Sequence, residues 1–283
     1  MTAQPHETQP ADTQPAGTRS PYTGPSAYAS IASEQGMLLA AGSAVMYQLA
    51  VPGVGLGVAE HSTTLERPVD RLRTTLTYVY AMTLGTPEEQ QAIARMVNKA
   101  HGPVRAAGRY SAFDPDLQLW VAATLYQQGE FIYEKLFGPM PEEMRDGYYR
   151  ASWIYGTALQ VKDEQWPPTR ADFQVYWDTT IAGLESVPSV QDYARRLLST
   201  EDAPLFSKLV LPLQALMTRG NLDPRTREVL GLTWSAKEQR RYDLFWKVFP
   251  RLYRLIPRRL RHLHAHLILR DMRRRMRKGG RVI

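Results

Sequence analysis

Six histidines and no cysteine bound the chemistry open to this 283-residue chain. Without cysteine there is no disulfide, thiolate zinc site, iron–sulfur ligation, thiol nucleophile or covalent c-type haem attachment. Imidazoles and carboxylates remain for a metal. His101 stands where a helix opened by Thr86-Pro87-Glu88-Glu89 should stop, immediately before Gly102-Pro103. A histidine there is either a helix cap, which favours its positive charge, or a metal ligand, which must be neutral. Arg71 and Thr75 are four residues apart, so on a helix they share a face. A permanent cation and a hydroxyl aimed at one spot suit a haem propionate or another polar cofactor edge. They suit an ordinary helix salt bridge equally well.

Other constellations carry less. Gly53-Val54-Gly55-Leu56-Gly57 misses the spacing of a dinucleotide-binding loop, because Val58 stands where the third glycine belongs. His61-Ser62 are adjacent and cannot present triad geometry to each other. On a helix His262 and His266 would share a face, at a spacing that zinc uses. No glutamate follows His262, and the surrounding arginines repel a cation.

The elements that must position these side chains are punctuated as helices. Thr86 with Glu89 and Ser235 with Glu238 have capping-box spacing, and Thr169 with Asp172 marks a third start. Asp114-Pro115, Pro141-Glu142-Glu143 and Asp223-Pro224 open three more. The Pro141 helix is expected to reach about Leu159, one from Leu205 to end at Gly220, and a basic helix to cover roughly Pro257–Lys278. No segment alternates between turn signals as a strand would. The expected fold is all-α: a single helical domain over 27–250 with a disordered Thr/Gln/Pro-rich tail at 1–26 and a basic amphipathic helix and tail at 251–283.

A 43% hydrophobic content is ample for a core. The net charge of +7 is unevenly distributed: residues 251–283 hold twelve Arg/Lys against one acid, Asp271, leaving 23 basic and 27 acidic residues elsewhere. Attraction to anionic surfaces is therefore expected of the tail alone. Met37–Ala59 is uncharged and long enough to span a bilayer, but its glycines and Pro52 read as a buried helix followed by a bend. No secretory signal pattern opens the chain.

The string from His61 to Trp120 resembles the rubber oxygenases (latex-clearing proteins) and the fungal MpaB oxygenase. The likeness is carried by Arg71-Leu72-Arg73-Thr74-Thr75, by Gly85-Thr86-Pro87-Glu88-Glu89, and by Val97 to His101 with Val104-Arg105. Tyr110-Ser111-Ala112-Phe113-Asp114 continues it to Leu119-Trp120-Val121. Met46-Tyr47-Gln48-Leu49-Ala50-Val51-Pro52 extends it upstream and Phe137-Gly138-Pro139-Met140 downstream, over roughly residues 36–220.

This resemblance implies a globin-like helical core holding haem b, with His101 as the proximal iron ligand and Arg71 and Thr75 close to the haem. The family's distal lysine position is Thr74 here, which cannot ligate iron in the same way. Glu60 and His61 are the candidates near the distal side. The expected set is His101 for the metal, Arg71 and Thr75 for the cofactor, and His61, Arg71 and Thr75 for catalysis. A backbone carbonyl or Asp114 is expected to accept from the second His101 nitrogen.

The implied function is a haem-b-dependent oxygenase acting with dioxygen on a hydrophobic organic substrate. Two alternatives stand beside it: a non-catalytic haem carrier, sensor or scaffold, and a haem enzyme of oxidative coupling or dehydrogenation. A cytoplasmic location with peripheral contact to an anionic membrane through residues 251–283 is expected; nucleic acid is the weaker reading of the same charge.

Overall fold

In the computed structural model, which describes residues 27–199 and 211–283, the 23-residue helix α6 (Pro115–Phe137) is the axis. Its residues are apolar on nearly every side, and such a helix must be covered all round. The expected tail at 1–26 and the start of the helix expected from Leu205 lie outside the described residues.

The chain enters through α1 (Ala27–Ser33) and a 3₁₀ turn (Gln35–Ala40), then lays α2 (Ala41–Ala50) along α6. Polar staples fix the pair: Trp120 Nε1 donates to the Tyr47 carbonyl at 2.8 Å, Gln48 Nε2 to Thr124 Oγ1 at 2.9 Å, and Ser43 Oγ to Gln128 Oε1 at 2.5 Å. Trp177, on α9 (Arg170–Ala182), stacks on Trp120 and meets Tyr47 edge-on, each at 4.9 Å between centroids. Around this core pack α7 (Glu142–Ser152), α8 (Ile154–Thr157), α10 (Pro188–Leu198), α11 (Leu211–Gly220), α12 (Pro224–Val229) and α13 (Ala236–Leu255).

The glycine-rich segment departs from its expected bend. Pro52 starts a helix, α3 (Pro52–His61), after a 108° break from α2. The glycines serve close packing: a Cβ on Gly55 would stand 2.3 Å from the Leu49 carbonyl oxygen, and one on Gly53 would stand 2.8 Å from Leu117. Among the described residues no single helix is long and apolar enough to cross a membrane, although the bent pair through α2 and α3 passes by composition when taken together.

Two other boundaries differ. The Pro141 helix breaks at Trp153, between α7 and α8. The basic helix is two pieces, α14 (Arg258–Arg261) and α15 (Leu263–Arg277), parted at His262. α10 is a helix without an early punctuation signal beyond Pro188. The capped starts at Thr86, Thr169 and Ser235 are all present.

The elements that frame the site are α4 (Pro68–Leu84), which packs on α5 (Pro87–His101), and a two-residue hairpin. In the hairpin β1 (Arg105–Ala106) pairs antiparallel with β2 (Tyr110–Ser111), and the turn is allowed by Gly108 at φ 70°. β2 rests on α3. α15 covers α4, burying Ala265, Leu269 and Met272, and Arg273 ties it to Glu89 at the start of α5 at 2.7 Å.

Candidate functional site

His101 is the last residue of α5. The helix is fixed at its start by the Thr86–Glu89 box and turned at its end by the Val104 N–H, which donates to the His101 carbonyl at 2.9 Å. The imidazole is half-buried and edge-on to Phe113, with centroids 6.4 Å apart. Its Nδ1 is buried with no hydrogen-bond partner among the described residues. Burial first, and the Arg71 cation second, hold its pKa below the ordinary imidazole value, which favours the neutral ring. Asp114 does not accept from it: that carboxylate caps α6, taking the Asp116 and Leu117 N–H groups at 2.9 and 3.3 Å.

Arg71 and Thr75 lie one turn apart on α4, both exposed, with Leu72 beside them 45% exposed. The nearest acid in sequence, Asp70, is taken by Arg67 at 3.0 Å and Arg73 at 2.9 Å. Arg71 has no carboxylate partner among the described residues, so the ordinary salt-bridge reading does not apply. Thr74 faces inward; its buried hydroxyl donates to the Arg71 carbonyl at 3.0 Å.

His61 ends α3 and meets the hairpin instead of His101. Its Nε2 lies 3.1 Å from the Tyr110 hydroxyl, which donates to Glu60 Oε2 at 2.5 Å; Arg109 closes on Glu60 Oε1 at 2.6 Å. The Tyr110 hydrogen bond first, and Arg109 next, hold the Glu60 carboxyl below its usual range. Because Tyr110 gives its one proton to Glu60, Nε2 must be the donor to Tyr110. A neutral His61 then keeps its lone pair on Nδ1. Tyr110 and Arg109 carry no signal for this role in the sequence, since the contacts span 49 and 50 residues.

An open cleft of about 650 Å³ lies on the hairpin, lined by Arg105 to Ser111 and by Asp114. A second, of about 490 Å³, separates α5 from α8. Neither is lined by His101, Arg71 or Thr75. Among the described residues no three His, Asp or Glu side chains gather as a metal-holding group. His262 Nε2 lies 3.0 Å from Glu34 and His264 Nδ1 lies 3.3 Å from the Tyr80 hydroxyl, so these two tail histidines each face a protein partner, while His266 is exposed.

The side-chain chemistry is nevertheless of the kind a haem would use: an imidazole whose Nδ1 has no partner among the described residues, a guanidinium with no carboxylate partner among them, a hydroxyl on the same helix face, and apolar surface at Leu72 and Phe113.

The described residues are almost entirely helical, and they bring His101, at the end of α5, under the charge of Arg71 on α4. Residues 28–255 match the family described as ER-bound oxygenase mpaB/B'/Rubber oxygenase, catalytic domain, and the chain belongs to that family. Two uncharacterized proteins, Mb2261 of Mycobacterium bovis and Rv2237 of Mycobacterium tuberculosis, are each 38% identical over 256 residues, covering 87% of this chain and 100% of theirs. No solved structure matches the chain significantly. The family is one of oxygenases.

Proposed function

We propose that the chain holds one haem b through His101 and uses it with dioxygen on a lipophilic organic substrate. The observation that carries this reading is the half-buried His101 ring at the end of α5, whose enclosed Nδ1 has no hydrogen-bond partner among the described residues, in surroundings that push its pKa down. A porphyrin-held iron asks the protein for as little as one imidazole. Arg71 and Thr75 would receive a propionate, for which a free guanidinium is the better of the two donors. Bound there, the group supplies dioxygen binding and redox chemistry that no side chain can.

The remaining tasks fall to the chain. The Thr74 hydroxyl is turned into its own helix, so α4 supplies no ligand at that position. His61 Nδ1 is the proton acceptor, and Tyr110 holds the ring in that tautomer. Glu60, kept anionic by Tyr110 and Arg109, is a weak base and acts by holding the Tyr110 proton. Leu72 and Phe113 give an apolar substrate or macrocycle surface to displace water from.

The test is oxygen uptake by haem-loaded protein with polyisoprene, fatty and sterol-like candidates under labelled dioxygen. Label in the organic product is expected. Label in water alone marks oxidative coupling or dehydrogenation, and haem binding without uptake for any candidate marks a carrier.

A further inference from the structure

Eight of the fourteen large apolar side chains left exposed on the described residues fall between Leu244 and Leu267. On α13 they form a stripe: Leu244, Val248, Leu252 and Leu255 follow one another at helical spacing, and Leu255 is 79% exposed. The inward side of the same helix is aromatic. Phe249 stacks on Phe245 at 4.6 Å and on Tyr253 at 5.5 Å. The apolar run continues through Ile256 to Leu260 on α14 and to Leu263 and Leu267, one turn apart on α15.

From Leu244 to Arg270 the chain carries seven Lys/Arg and no acid. One of the seven, Arg261, is buried against Glu34; Lys247, Arg251, Arg254, Arg258, Arg259 and Arg270 are exposed. The corner between the helices is pinned from within. The buried Glu34 carboxylate accepts from Tyr253 at 2.6 Å and meets His262 at 3.0 Å, and the Tyr253 hydroxyl accepts from Gly36 N–H at 2.8 Å. The outer face therefore cannot roll inward to cover its leucines. Beyond Leu267 the tail is body: Leu269, Met272 and Val282 enter the core.

We propose that this face, running from Leu244 to Leu267, docks on an anionic lipid bilayer. Aliphatic side chains flanked by cations match an acyl boundary beneath anionic headgroups. A second copy would bring like charges together across the contact. A nucleic acid would use the cations but offer nothing to the exposed leucines. The docking face thus begins before residue 251 and stops well short of the C-terminus. It does not depend on the haem assignment, and its test needs no haem.

Full-length protein is sedimented with vesicles of phosphatidylcholine, with or without about 30 mol% phosphatidylglycerol, in roughly 0.1 M salt. Binding to the anionic vesicles and little to the neutral ones is expected. Leu252→Gln with Leu255→Gln should lower that partition about tenfold or more with unchanged circular dichroism and melting. Arg251→Gln with Arg259→Gln should lower it on anionic vesicles only. Wild-type protein that stays in the supernatant with both vesicles overturns the proposal. So does a leucine variant that binds anionic vesicles as well as wild type, the pattern of a purely electrostatic surface such as a nucleic-acid site. A wild-type dimer in sedimentation velocity that the leucine variant abolishes assigns the face to self-association and equally overturns it.

Discussion

His61 Nε2 lies 3.1 Å from the Tyr110 hydroxyl, its ring edge-on to the tyrosine with centroids 6.0 Å apart. That contact joins the end of α3 to the hairpin that follows His101. It fixes which histidine nitrogen can take a proton, because Tyr110 has only one proton and gives it to Glu60.

Tyr110→Phe removes both bonds while keeping the ring. The Glu60 carboxyl loses the largest cause of its depressed pKa and should titrate upward. Turnover of haem-loaded protein should fall about a hundredfold with haem content unchanged, as measured by oxygen uptake and absorbance. An unchanged rate would remove the triad from the chemistry.

His101 gives a pH dependence of definite sign. Its folded pKa lies below the ordinary value of about 6.5, so below that pH the unfolded chain takes up a proton that the folded chain resists. Stability is insensitive to this group above that pH and falls as pH drops through the window. Haem retention should follow the same course, flat near neutrality and lost on acidification, as the ring must be neutral to ligate. Melting and haem dissociation between about pH 8 and 5 read both.

Arg71→Ala should act on two quantities at once. Removing the cation lets the His101 pKa rise, and removing the donor weakens haem about tenfold or more, on the scale of a charge-assisted hydrogen bond. A haem titration with a proton NMR titration of His101 in the haem-free protein measures the pair. A variant with native haem affinity places the propionates elsewhere.

Gly55→Ala should destabilise the fold by about 2–3 kcal/mol, since its Cβ would meet the Leu49 carbonyl oxygen and Val190 at 2.3 and 2.8 Å. Gly147→Ala on α7, with nothing near its Cβ, should stabilise by about 0.5–1 kcal/mol. Chemical denaturation compares them.

The contrast between those glycines shows where sequence reading succeeds. Thr86 with Glu89 and Ser235 with Glu238 are legible because a capping box closes within four residues. Gly53 to Gly57 read as a bend because intrinsic propensity disfavours glycine in helices; Leu49, Leu117 and Val190 supply the tertiary reason for them. Arg71 and Thr75 on one face follow from helical periodicity alone. That Arg71 has no carboxylate partner among the described residues depends on Asp70 choosing Arg67 and Arg73, and the network of Glu60, Tyr110 and His61 depends on a hairpin of two residues per strand. Neither leaves a local trace. The leucine stripe of α13 is visible as spacing, but only the aromatic packing of the opposite face shows which side is left outside.

The absorption spectrum of the purified protein, taken from haem-replete cells beside its His101→Ala variant, tests the central claim most directly. A Soret band with a b-type pyridine haemochrome in the wild type, abolished or grossly altered in His101→Ala and retained in His61→Ala, is the expected result. A colourless wild type, or a band that survives in His101→Ala and vanishes in His61→Ala, contradicts it.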